Sequence, residues 1–240
     1  MTKRTISGTT RFATLALLTA VAVLMGLQNN LVTRAHQSEH AVRGRALVPT
    51  APVGGALDRL SVSDSDESLA ALKKIKVAVA AGKPFRVDIA ENGTRFTPDE
   101  TPAFPDGLPA YGAEFITEGY IYPAGTLTGP NGANPDGSPE FPNRVIGRWV
   151  CRGWHIGDGA HTVTGPWVVT HQLFSFGTTP GAETITTDGF ETPEVGVPIT
   201  RAITGGSGLF ADIRGDSSQV FFGFNASNGT STRHEIRPAR

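Results

Sequence analysis

The sequence predicts an all-β protein: one eight-stranded antiparallel β-barrel over about residues 84–238, preceded by a targeting or anchoring segment, a linker and one short helix. Two observations carry this. From Pro84 onward apolar residues recur with period two, in short runs rich in Val, Ile, Thr, Phe, Tyr and Trp, and Gly, Pro, Asn and Asp punctuate the gaps. Eight such runs occur, at 85–89, 113–122, 144–155, 164–177, 183–190, 197–203, 217–224 and 231–236. An open sheet of that many strands would leave two adhesive edges, so closure is the expected solution.

Composition agrees with a loop-rich β protein. The 240 residues include 29 Gly and 17 Pro, high for a packed domain but below the level of wholesale disorder. Cys151 is the only cysteine, which excludes an intramolecular disulfide and a multi-cysteine metal site. Stability must therefore come from apolar burial and backbone hydrogen bonding.

The N-terminal region is read in three parts. Residues 1–35 carry Lys3, Arg4, Arg11 and Arg34, no acid, and an apolar run over 12–27. A basic stretch followed by an apolar one is the order that export machinery reads, either as a cleaved signal or as a retained membrane anchor. The expected location is therefore secreted or extracytoplasmic, with 12–27 as the anchor if it is kept. Loss of 1–35 would leave 17 Lys and Arg against 22 Asp and Glu, a mildly acidic protein without the cationic footprint that nucleic acid or an anionic membrane surface requires. Residues 36–63, rich in Ala, Ser, Pro and charge, read as a tether. Residues 64–83 hold a helix, with Ser65 as N-cap, Asp66 and Glu67 in the first turn, an apolar stripe of Leu69, Leu72, Ile75 and Val79, and Gly82 as the stop.

Two connections, 97–112 and 123–143, exceed hairpin length and read as functional lids or plain surface loops. Asn134, Asp136 and Gly137 in the second resemble part of a calcium loop. Gly132 and Asn143 stand where its acids belong, so turn chemistry accounts for the segment and no metal is expected.

Candidate site residues follow from strand alternation. Trp149 and Cys151 share one face of the third run, and Trp167, Val169 and His171 share one face of the fourth. If these runs pair with those faces aligned, they line a mostly apolar surface with one thiol and one imidazole, the composition of a small-molecule pocket. A solid core is the alternative. His171 is a candidate acid or base, as are Glu114 and Glu118, which share a face with Tyr120 and Tyr122; burial beside those rings would raise a carboxyl pKa. Solvent-facing carboxylates are the competing reading.

The segment Ala202-Ile203-Thr204-Gly205-Gly206-Ser207-Gly208-Leu209-Phe210-Ala211-Asp212-Ile213-Arg214-Gly215 resembles the A-I-T-G-G-T-G-x-F/Y-x-x-A-x-G stretch of the allene oxide cyclase and dirigent-like barrel family. Gly205, Gly206 and Gly208 are expected to turn the chain at positive φ, Phe210 to pin the turn to the barrel end, and Gly215 to open the next strand. The likeness extends over about 113–237 and matches Cys151 to a cavity position. Ile213 departs from the motif's small residue, and 123–143 looks inserted. The resemblance implies a barrel that binds a small hydrophobic molecule. It also implies that any reaction is an isomerisation, cyclisation or stereo-directed coupling without metal or organic cofactor, and that barrels associate into homo-oligomers. The alternative is a non-catalytic extracytoplasmic module acting through its loops.

Export has a direct check. Mass spectrometry of the protein from its native host is expected to find residues 1–35 removed; an intact N-terminus in the soluble cytosol would refute export, and one in membranes would identify the anchor.

Overall fold

A computed structural model describes residues 62–98 and 102–239. The expected signal or anchor, and the expected linker up to residue 61, lie outside the described residues. Ala103–Leu108 forms a unit of its own, a turn in which Phe104 N donates to Leu108 O and Gly107 N to Phe104 O. The other described residues carry the barrel.

One α-helix is present among the described residues, α1 (Asp66–Ala80). Ser65 caps it by accepting from Ser68 N at 3.2 Å. Its end is closed by Gly82 at φ +59°: Gly82 N donates to Val79 O and Lys83 N to Ala78 O, satisfying carbonyls that the helix leaves open. Ile75 is buried, and Ala71, Leu72, Ala78 and Val79 pack beside it against the barrel core. Leu69, expected in that stripe, is instead exposed. No described helix is long and apolar enough to cross a membrane.

The strands are β1 (Phe85–Glu91), the two-residue β2 (Thr97–Pro98), β3 (Glu114–Pro123), β4 (Gly147–His155), β5 (Val168–Phe176), β6 (Glu183–Glu191), β7 (Pro198–Ser207), β8 (Gly215–Phe224) and β9 (Thr230–Pro238). Every pairing is antiparallel. The eight long strands follow one another around the barrel in chain order, and β1 closes it by pairing with β9 on one side and β3 on the other. β2 only flanks the start of β3. Several strands exceed their sequence boundaries, β1 reaching Glu91 and β7 reaching Ser207.

The glycine motif works differently from expectation. Gly205 and Gly206 lie within β7 and pair with Thr186 and Ile185, after a register shift between Thr186 and Thr187 that leaves Thr204 unpaired. That extra residue reverses the alternation, so Gly206 lies over Phe210, and a Cβ there would stand 2.3 Å from Phe210 O and 2.6 Å from Thr184 O. Only Gly208, at φ +59°, turns the chain, and Gly215, at φ +131°, opens β8. Phe210 fills the barrel end as expected, its ring 5.2 Å from that of Phe176 and 6.2 Å from that of Phe85.

The half of the barrel nearest α1 is apolar. Phe85, Val87, Ile89, Ile121, Trp149, Phe174, Phe176, Ile185, Ile203 and Ile236 form its core, with Phe210, Ile213 and Ile75 closing the end. Residues 124–143 pack against the outer face of the sheet. Leu127 and Ala133 are buried with Tyr120 and Tyr122, whose hydroxyls donate to Gly137 O at 2.6 Å and Gly132 O at 2.7 Å. Asn134 to Ser138 close a turn: Gly137 N donates to Asn134 O and Ser138 N to Asp136 Oδ1. Among the described residues no group of three or more His, Cys, Asp or Glu is placed to hold a metal.

Gly206→Ala is expected to destabilise by about 1 to 3 kcal/mol through overpacking against backbone. Gly205→Ala, whose Cβ would meet nothing closer than 3.5 Å, should stay within about 0.5 kcal/mol. Urea denaturation of the two variants checks the contrast; equal losses would refute the packing role of Gly206.

Candidate functional site

At the barrel end away from α1 the interior changes character. Alternation continues through the ends of the strands, and in phase with the apolar core residues it places Glu91 on β1, Thr117 on β3, Thr170 and Gln172 on β5, Glu191 on β6, Arg201 on β7 and Gln219 on β8. Thr117, Cys151, Gln172 and Thr187 are direct neighbours across β3 to β6, and cross-strand neighbours point to the same side. The result is a polar layer inside the barrel.

Arg201 and Glu191 organise that layer. The Arg201 side chain is fully buried, and its NH1 stands 3.5 Å from Glu191 Oε1. Its remaining donors reach Thr187 Oγ1 at 3.2 Å, Phe190 O at 3.4 Å, and Thr170 O at 2.9 Å and Thr187 O at 3.4 Å. Glu191 accepts from Thr170 Oγ1 at 2.6 Å, Gln172 Nε2 at 2.9 Å and Gln219 Nε2 at 3.0 Å. An ion pair removed from water is tolerable only when hydrogen bonds saturate it in this way.

Glu91 is the second interior carboxyl. Burial pushes its pKa up and the negative Glu191 adds to that, while hydrogen bonds from Thr117 and Thr230 pull it back. Thr117 Oγ1 donates to Oε1 at 2.6 Å, and Thr230 N and Oγ1 donate to Oε2, both at 2.7 Å. Glu91 thereby ties β1 to β3 and β9 while holding its proton above the usual carboxyl range. Cys151 is buried, its Sγ 4.0 Å from Glu191 Oε1, and burial raises its pKa well above that of a free thiol, so it stays protonated.

Trp167 roofs the barrel mouth. It precedes β5, yet its ring meets the edge of Phe224, at the end of β8, at 6.4 Å. Beneath it Glu191, Gln219, Phe221 and Thr230 enclose about 10 Å³, room for a single water. Several buried polar atoms near this layer have no partner: Trp149 Nε1, Trp167 Nε1, both ring nitrogens of His155 and Gln172 Oε1. Burial lowers the His155 pKa to about 4, so the ring is neutral, and it lies 5.5 Å from the Phe115 ring. A larger open groove of about 790 Å³ runs outside the barrel beside α1, past Ala71, Ile75, Phe85 and Arg86, but none of these unpartnered atoms lines it.

The candidates from sequence separate. Trp149 and Cys151 point inward and Trp167 roofs the mouth, whereas Val169 and His171 face outward. The register pairs Trp149 with Phe174 and Cys151 with Gln172, so the opposite face of β5 is the inner one. His171 instead pairs on the outside with Asp188, Nδ1 to Oδ1 at 2.9 Å. Glu114 and Glu118 are also on the outer face: Glu114 accepts from Trp154 Nε1 at 2.8 Å and Glu118 pairs with Arg95 at 3.3 Å. The expected common surface of Trp149, Cys151, Trp167, Val169 and His171 is therefore not formed. Glu91, Glu191, Arg201, Gln172 and Gln219 were not singled out. The signal for Glu91 was its phase with Phe85, Val87 and Ile89, and for Arg201 its phase with Ile199 and Ile203.

No protein-family profile matches the chain, and no curated protein matches its sequence. Among solved structures the barrel resembles a pyocyanin demethylase at 13% identity and TM-score 0.42, covering 65% of this chain and 99% of that one. It also resembles a pterocarpan synthase dirigent protein at 14% identity and TM-score 0.47, covering 64% and 90%. A heme-binding cyclase of neoabyssomicin biosynthesis is similar at 13% identity and TM-score 0.37, covering 74% and 76%. These likenesses, all at low identity, concern the fold.

A raised carboxyl pKa contributes stability that is complete below the unfolded value of 4.5 and is lost as pH rises through the folded value. The unfolding free energy of wild type minus that of Glu91→Gln should therefore fall as pH rises from 4.5 toward 8. Urea titrations of both proteins check this; a flat difference would mean that burial does not raise the Glu91 pKa.

Proposed function

We propose that this is an exported barrel protein that takes up a small organic molecule beneath Trp167, with Glu91 as the proton donor of an isomerisation or cyclisation. One observation carries the reading: buried Glu91 and the Glu191–Arg201 pair share the barrel end away from α1 with unpartnered polar atoms on Trp167, His155 and Gln172. A barrel selected only for stability would fill this space with apolar side chains, because each unpaired buried polar group costs about 1 to 3 kcal/mol. A perturbed carboxyl and unpaired groups at one place are what a ligand site requires.

Two carboxyls in different surroundings divide the labour. Glu191 is held by Arg201 and three hydrogen-bond donors, a fixed negative charge suited to stabilising positive charge that develops on a substrate. Burial raises the Glu91 pKa, which suits it to proton exchange, and the Thr230 hydroxyl that donates to its Oε2 lines the enclosed space.

The enclosed volume of about 10 Å³ admits no organic ligand while Trp167 is in place, so uptake requires that ring to swing away. The same small volume favours a second reading, a side-chain-filled barrel that acts through its surface. The apolar dye N-phenylnaphthylamine separates them. Wild type is expected to bind it with quenching of tryptophan emission, and Trp167→Ala to bind it at least tenfold faster. For any compound the protein converts, Glu91→Gln should retain binding and lower turnover by about 100-fold or more. Absence of dye uptake by both folded proteins would establish the filled barrel.

A further inference from the structure

We infer that the molecule taken up beneath Trp167 is an organic cation, whose ammonium head lies between Glu191 and the Trp167 ring. This deepens the pocket reading above and rests on it. Glu191 is the one ionisable residue that lines the enclosed space; the rest of the lining is apolar or neutral and polar, with Trp167 and Phe221 supplying the rings. Arg201 stands behind it. The Arg201 side chain is wholly buried whereas that of Glu191 keeps 13% of its surface exposed, so the pair turns its negative end to the mouth. Thr170, Gln172 and Arg201 all act on Oε1 of Glu191. Among the described residues Oε2 receives Gln219 alone, at 3.0 Å, and has a lone pair to spare.

Arg201 does not cancel that charge. Burial does most to raise the Cys151 pKa, and after it Glu191 raises it more than Arg201 lowers it. A second carboxylate, Glu194, accepts from Gly165 N at 2.8 Å and so stands beside the connection that carries Trp167. That bond holds the Glu194 pKa below the ordinary carboxyl value, which keeps it ionised. An anionic head would therefore meet negative charge in a poorly hydrated space, where like charges repel strongly. A neutral head would strip water from Glu191 Oε2 and return no charge to it. A quaternary ammonium is weakly hydrated, gains the carboxylate, and is attracted to an indole face as Trp167 returns over the bound molecule. An acceptor elsewhere on the same molecule would serve the Trp167 N–H, which is unpaired in the closed barrel.

The test uses three compounds of one shape whose tetrahedral heads differ in charge: benzyltrimethylammonium, neopentylbenzene and phenylmethanesulfonate. Each is titrated at neutral pH by its displacement of N-phenylnaphthylamine. Wild type is expected to bind the ammonium about tenfold more tightly than the hydrocarbon, with the sulfonate weakest. Trp167→Leu, which keeps an apolar side chain and removes the ring, should weaken the ammonium about fivefold and the hydrocarbon far less. Glu191→Gln should bring the ammonium down to the level of the hydrocarbon; where loss of the Arg201 counter-charge unfolds that variant, the ratio in Trp167→Leu decides. A hydrocarbon or sulfonate bound as tightly as the ammonium overturns the inference and leaves the pocket standing. So does an ammonium preference that Trp167→Leu leaves unchanged, or bound dye that none of the three displaces. Failure of wild type to take up the dye or any of the compounds removes the pocket itself.

Discussion

A guanidinium with no access to water sits inside this barrel, and most of the polar interior is arranged around it. Arg201 requires a counter-charge, which Glu191 provides, and acceptors for its other donors, which come from Thr187, Thr170 and Phe190. Glu191 in turn engages Thr170, Gln172 and Gln219. The strands β5, β6, β7 and β8 are therefore coupled at one level by side chains as well as by their backbone ladder. A slip of one residue in any of them would turn its member of the network to the outside and leave a buried charge uncompensated.

The two halves of the interior differ in composition. Near α1 the barrel is filled with aromatic and branched side chains, and burial of that apolar surface is the main source of stability. Toward the mouth, Glu91 joins three strands through hydrogen bonds while burial raises its pKa. The residues that hold the mouth together thus include the carboxyl whose pKa burial shifts. Outside, the connection 124–143 serves the wall and not the mouth, since Tyr120 and Tyr122 anchor it by their hydroxyls to the outer face.

Much of the architecture was legible in the residues. Period-two runs located all eight long strands, Ser65 and Gly82 bracketed the helix, and the glycine motif pointed to the barrel. The site was less legible, for a specific reason. Alternation tells which residues of one strand share a face, but not which face of the next strand joins it. Residues 156–167 between β4 and β5 are too long a connection to fix that register, so His171 and Val169 were grouped with Cys151 when Gln172 and Thr170 are the inward residues. In β7 the unpaired Thr204 reverses the phase, an event that leaves no mark in the local pattern. Ending the first run at Ile89 hid Glu91 one step further along the same face.

The closure of the barrel by β1 also has a kinetic side. Phe85 to Ala90 lie beside Ile236 to Ser231, partners separated by most of the described chain, and without that pairing β1 and β9 are both free edges. Each later hairpin can zip onto its predecessor, but the ring is completed only when the last strand arrives, and contacts of such long range slow folding. Until then the apolar half of the interior is open along one seam. Helix α1 precedes β1 in the chain, so the element that stops the barrel end is available before the barrel exists. An early partner for Phe85 limits how long that end of the apolar surface stays exposed to other unfinished chains.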